Sequence, residues 1–170
     1  KALSLYGVFT GMALPCILFP STVTSSASVI LMPSVAEMQA LGHRRKIRYI
    51  TRTTCAACIL LGSLCTTVFY FGGNFAGTIL FHNTDAGLYI RTLSFICPFL
   101  YTNIALTSIL NGLGKTGTTL VHSVLGILLR ISFVIFAIPV LGIRGYLYGL
   151  LLSEILLSLL HIYALYHMEF

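Results

Sequence analysis

Charge is what this sequence has least of. Asp, Glu, Lys and Arg together make up 8% of its 170 residues, where a soluble globular domain carries roughly 25%. Polar surface this sparse cannot cover a water-soluble fold. At a mean hydropathy of +0.96 a soluble chain of this size would expose large contiguous apolar patches, which aggregate or mark a lipid or partner surface.

Acidic residues are scarcer still, four in all. Outside the apolar stretches there is no acidic pair and no grouping of nucleophile, base and orienting residue. A catalytic constellation is therefore missing, and no enzyme activity is expected. Gly114-Lys115-Thr116 ends like a phosphate-binding loop, but that pattern needs a glycine five positions before Gly114, where Ile109 stands, and no soluble strand precedes it. A nucleotide site is excluded. The five cysteines, Cys16, Cys55, Cys58, Cys65 and Cys97, all lie in apolar stretches. Cys55-Ala-Ala-Cys58 has redox or metal spacing, yet zinc would need two further ligands and redox chemistry a thioredoxin-like soluble fold. Small apolar packing accounts for them, and neither a metal nor another cofactor is expected. A starting Met is absent too: the chain begins at Lys1, and its first apolar stretch is too long and too proline-rich for a signal peptide. Upstream sequence is expected.

What the sequence does have is long apolar runs. A spanning helix takes about 20 mostly apolar residues, because the hydrocarbon layer is about 30 Å thick and each helical residue rises 1.5 Å. That criterion predicts an all-α integral membrane protein of about five spans, at about 5–36, 53–72, 87–110, 118–139 and 145–167. The first, starting near Leu5, contains Pro15, Pro20 and Pro33 and the run Ser21-Thr22-Val23-Thr24-Ser25-Ser26, so it reads as a bent helix whose freed carbonyls must face protein or a cavity. Close packing of its small residues against another helix is the alternative, compatible use. The segment Gly73 to Ala86, ending in His82-Asn83-Thr84-Asp85, reads as lying along the membrane surface. Arg91, Pro98 and Asn103 interrupt the third span, and the fourth and fifth must form an antiparallel hairpin across the short link from Val140 to Arg144.

The formal net charge is +6, and much of it sits in the run from His43 to Arg52. Arg44, Arg45, Lys46, Arg48 and Arg52 form a juxtamembrane cluster suited to anionic lipid headgroups, and no basic and aromatic platform for nucleic acid accompanies it. Lys115 falls on the same side. By the positive-inside rule that side is cytoplasmic, with residue 1 outside and the C-terminus inside.

Two charges interrupt the last two spans. Arg130 and Glu154 each cost roughly 2.5 to 3.5 kcal/mol to insert alone. Arg130 lies nine positions before Pro139 and Glu154 nine after Gly145, so they reach one depth on neighbouring helices and can pair. Either the pair fixes the register of the hairpin, or Arg130 faces a central cavity and binds an anionic headgroup. His122, eight positions before Arg130 and so on the same helical face, extends that polar stripe.

These residues, taken in order, resemble a known family. The carriers are Met12-Ala13-Leu14-Pro15 through Phe19-Pro20, Leu31-Met32-Pro33-Ser34-Val35-Ala36-Glu37, and Pro98-Phe99-Leu100-Tyr101 leading to Leu110-Asn111-Gly112-Leu113-Gly114-Lys115. They continue in Leu128-Leu129-Arg130, Ile138-Pro139-Val140-Leu141-Gly142-Ile143-Arg144-Gly145-Tyr146 and Ser153-Glu154. The pattern is similar to the multidrug/oligosaccharidyl-lipid/polysaccharide flippase superfamily, in its stage V sporulation protein B-like polysaccharide-transporter branch. The resemblance implies a two-lobed alternating-access transporter of a lipid-linked glycan in the bacterial cytoplasmic membrane, with this chain as most of the second lobe. Its partners would be membrane lipids, the glycan substrate and an N-terminal lobe absent from this chain. The acidic ion sites of the drug-antiporter branch have no counterpart here. A cation-coupled drug exporter of the same fold, with Glu154 as its intramembrane acid, and a non-transporting membrane scaffold are the competing readings.

Overall fold

The computed structural model describes residues 6–80, 82 and 84–167, with the side chains of residues 80, 84 and 85 excepted. The expected start of the first span at Leu5, and Asn83 in the following link, lie outside the described residues. The described chain is all-α, with four helices long and apolar enough to cross a membrane and a fifth span if one bent pair is taken together. It is a multi-pass membrane protein.

The bent pair comes first. Helix α1 (Tyr6–Leu18) and helix α2 (Ser21–Ala40) meet at 54°, at Phe19-Pro20, where proline removes a backbone donor. The hydroxyls of the bend work locally: Ser21 Oγ donates to Leu18 O at 2.6 Å and Ser26 Oγ to Thr22 O at 2.9 Å. Helix α2 ends in a Schellman turn, with His43 N–H bonded to Met38 O, Gly42 N–H bonded to Gln39 O and Gly42 at a positive φ of 69°. The same turn recurs after the third span, where Lys115 N–H reaches Leu110 O and Gly114 has φ 72°.

Helix α3 (Arg44–Ile79) is longer than the apolar run that marks the second span. It starts before residue 53, because the basic run is helical from Arg44 onward. Charge lowers hydropathy without lowering helix propensity, and Arg and Lys propagate a helix well. The helix also runs past Gly72, into the segment expected to lie along the surface. It passes through a π-helical turn at Ala76–Leu80, and Gly73 and Gly87 allow close approach to the next helix. A Cβ at Gly87 would come within 3.0 Å of Gly73 O. Arg91 fastens the same hairpin, donating to Tyr70 Oη at 2.7 Å with its guanidinium 4.2 Å from the ring centroid.

Helix α4 (Ala86–Gly112) is the hub. Within its most apolar stretch 61% of positions are buried, against 11% in α3. A 3-10 turn at Ser94–Ile96 precedes Pro98, and α4 packs against α2, α3 and the last span. It contributes to both cores: one around Phe9, Tyr89, Ile90 and Tyr101, and one at the basic end around Val35, Ile47, Leu106 and Leu165.

Helix α5 (Thr116–Phe136) and helix α7 (Ile143–His167) form an antiparallel hairpin. Helix α5 stops at Phe136, and Pro139 occupies the first turn of a short helix α6 (Ile138–Leu141) between them, where its missing N–H is tolerated. Gly149 brings α7 so close to Phe133 that a Cβ there would lie 2.5 Å from the phenylalanine Cβ.

Close approach without side chains is the packing rule here. At Gly62 a Cβ would meet Pro98 Cα at 2.3 Å, whereas at Gly72 nothing lies within 4 Å. Gly62→Ala is therefore expected to destabilise the protein by about 1–3 kcal/mol, while Gly72→Ala leaves it unchanged or more stable. Thermal unfolding of both variants in one detergent checks this.

Candidate functional site

Five polar side chains between α4, α5 and α7 form one bonded network. Arg130 of α5 donates from Nε to Ser153 Oγ at 2.7 Å and from Nη2 to Glu154 Oε1. Asn103 of α4 donates from Nδ2 to Glu154 Oε2 at 2.7 Å and to the Glu154 carbonyl at 2.9 Å. Ser158 Oγ, one turn along α7, donates to Asn103 Oδ1 at 2.9 Å. Both carboxylate oxygens of Glu154 are thus engaged by donors from two different helices.

Local sequence explains the assembly. On α7, Leu150, Glu154, Ser158, His161 and Leu165 recur at intervals of four and three, and all five are buried, so they share one helical face. That face turns toward α4 and α5. Ser153 stands beside it and donates its own hydroxyl hydrogen bond to Leu150 O at 2.8 Å.

The two ends of the ion pair differ. The Glu154 side chain is 7% exposed and that of Arg130 37%. A guanidinium has five N–H donors, and the pair and Ser153 use two of them. Arg130 therefore holds Glu154 and still presents N–H groups outward. Structural pairing and anion binding do not exclude one another at this site.

His122 does not join the network. It lies one rung toward the basic end, its ring centroid 5.1 Å from that of His161 of α7 at an interplanar angle of 53°. His161 is fully buried, and neither of its ring nitrogens bonds to protein; His122 Nδ1 is likewise unpartnered. Among the described residues no group of three metal-ligating side chains gathers here or elsewhere. Cys55 and Cys58 are free thiols, one in each core.

The basic run divides by face. Arg44, Arg48 and Arg52 recur every four residues and border a groove between α3 and α7, while Arg45 and Lys46 are exposed outside it.

Sequence reasoning missed Asn103 as a member of the network, along with Ser153, Ser158 and His161. A count along the hairpin contains the signal for the last. His122 is eight positions before Arg130 and His161 seven after Glu154, which puts two imidazoles on one rung of antiparallel helices.

Most of the chain resembles a curated protein. It is 24% identical over 158 residues, covering 92% of this chain, to stage V sporulation protein B of Bacillus subtilis (strain 168). The chain spans 30% of that relative's length. No protein-family profile and no solved structure matches it.

The network and the histidine pair should respond oppositely to removal. Asn103→Leu strips partners from both Glu154 and Ser158 and is expected to cost about 1–3 kcal/mol. His161→Leu removes two unpaired buried nitrogens and should leave thermal stability equal or higher. A loss for His161→Leu as large as that for Asn103→Leu would show that the imidazole is held by polar partners in the membrane.

Proposed function

We propose that this chain is part of a membrane flippase that moves a lipid-linked oligosaccharide or peptidoglycan precursor across the bacterial cytoplasmic membrane, in polysaccharide, cell-wall or spore-cortex assembly. Similarity to a sporulation protein along 92% of the chain supports the family. The single observation that carries the chemistry is Arg130, a cation inside a spanning helix with a 37% exposed side chain and unused N–H donors. A half-exposed guanidinium makes strong charge-assisted bonds to phosphate oxygens, the anionic groups that a pyrophosphate-linked glycan carries through the membrane. An intramembrane charge is held at a cost of several kcal/mol and is a functional position by default.

In this reading the chain is most of the second of two helical lobes, and the cavity's other wall belongs to the remainder of the protein. Transport proceeds by alternating access, with the end bearing Arg44 and Lys115 in the cytoplasm. No covalent chemistry and no cofactor is involved, so the protein is a transporter and not an enzyme. A cation-coupled drug exporter would need a free intramembrane acid, and Glu154 already has both oxygens engaged by Arg130 and Asn103.

The test is transport of a fluorescent polyprenyl-pyrophosphate glycan in proteoliposomes. Arg130→Gln is expected to lower transport per molecule of folded protein about tenfold or more, the value of one or two charge-assisted bonds. If transport and folding fall together, and exchanging the two charges (R130E with E154R) restores both, the pair is only a structural tie. Unaltered transport in Arg130→Gln defeats the reading.

A further inference from the structure

The groove between α3 and α7 is separate from the Arg130 network. Its volume is about 1160 Å³, above the roughly 300–1,000 Å³ usual for small-molecule sites. No residue of the network borders it.

Its lining changes character along one axis. Arg44, Arg48 and Arg52 lie at the basic end, followed on the same helix by Cys55, Ala56 and Ile59. Ile162, Leu165 and Tyr166 form the facing wall, and Leu106 of the hub helix the floor. From Arg44 to Ile59 is about 22 Å of helix at 1.5 Å per residue. Three cations thus stand at headgroup level, and an apolar trough leads from them into the hydrocarbon. Ile59 is 50% and Tyr166 88% exposed, so the trough is open along its side. Thr51, also in the lining, keeps its hydroxyl oxygen buried with no protein partner.

We propose that this groove binds one anionic membrane phospholipid, its phosphate held by Arg44, Arg48 and Arg52 and an acyl chain laid along Ile59, Leu106 and Ile162. Charge complementarity selects the headgroup, since planar guanidinium forks match phosphate oxygens. Depth selects an amphiphile over a free anion, because the apolar part of the groove begins where the arginines stop. Arg45 and Lys46, outside the groove, add only the diffuse attraction that any basic residue exerts on an anionic surface. The site does not depend on what the protein transports.

Native mass spectrometry of the purified protein, taken from vesicles holding phosphatidylglycerol and phosphatidylcholine in equal amounts, tests it. Phosphatidylglycerol is expected to be retained in preference. Each arginine replaced by Gln should lower its retention about fivefold, so that R44Q with R48Q and R52Q retains both lipids alike. Ile59→Trp, which fills the trough with all charges intact, should lower retention of either lipid and leaves a decisive variant if the triple substitution unfolds the protein. Glycerol phosphate, the headgroup without chains, should fail to displace the lipid. Equal retention of the two lipids by the unaltered protein, or displacement by glycerol phosphate, overturns the proposal.

Discussion

A guanidinium placed inside a spanning helix has to be answered by something, because lipid offers it neither water nor a counter-ion. In this protein the answer is Glu154, and much of the arrangement around it follows from that one contact. The carboxylate is itself too costly to bury with only one oxygen engaged, so Asn103 reaches in from α4 to satisfy the second. Asn103 then needs an acceptor's complement for its own oxygen, and Ser158 supplies it. Three helices are tied at a common depth by groups none of which would be stable there alone.

The contact also demands that the backbones come close. In lipid there is no hydrophobic gain from bringing two apolar helices together, so packing depends on shape and on small residues. Gly149 against Phe133 draws the α5–α7 hairpin together near Arg130, and Gly62 against Pro98 draws α3 onto the hub. A hub helix with most of its apolar stretch buried gives the network a rigid wall. Function, in the reading proposed here, uses the part of Arg130 that this wall does not cover.

Charge is used differently at the basic end. There Arg44, Arg48 and Arg52 line up on one face of α3, at one end of an apolar trough. Arg130 and the three arginines of α3 divide the polar chemistry between two places.

Composition and hydropathy by themselves determined that this is a chain of spanning helices, since 8% charge leaves no other way to satisfy both backbone and side chains. The shared depth of Arg130 and Glu154 was legible as well, because an antiparallel hairpin converts equal counts from its turn into equal heights. The bend at Phe19-Pro20 was readable from proline. What only the tertiary structure decided is which faces meet. Hydropathy cannot see that the basic run is helical, that Gly73 and Gly87 fold α3 back on α4, or that Asn103 and Ser158 close around Glu154. Those outcomes depend on helix rotation and on backbone approach between residues far apart in the chain. A buried Asn or His looks the same in sequence whether its partner is one helix away or missing.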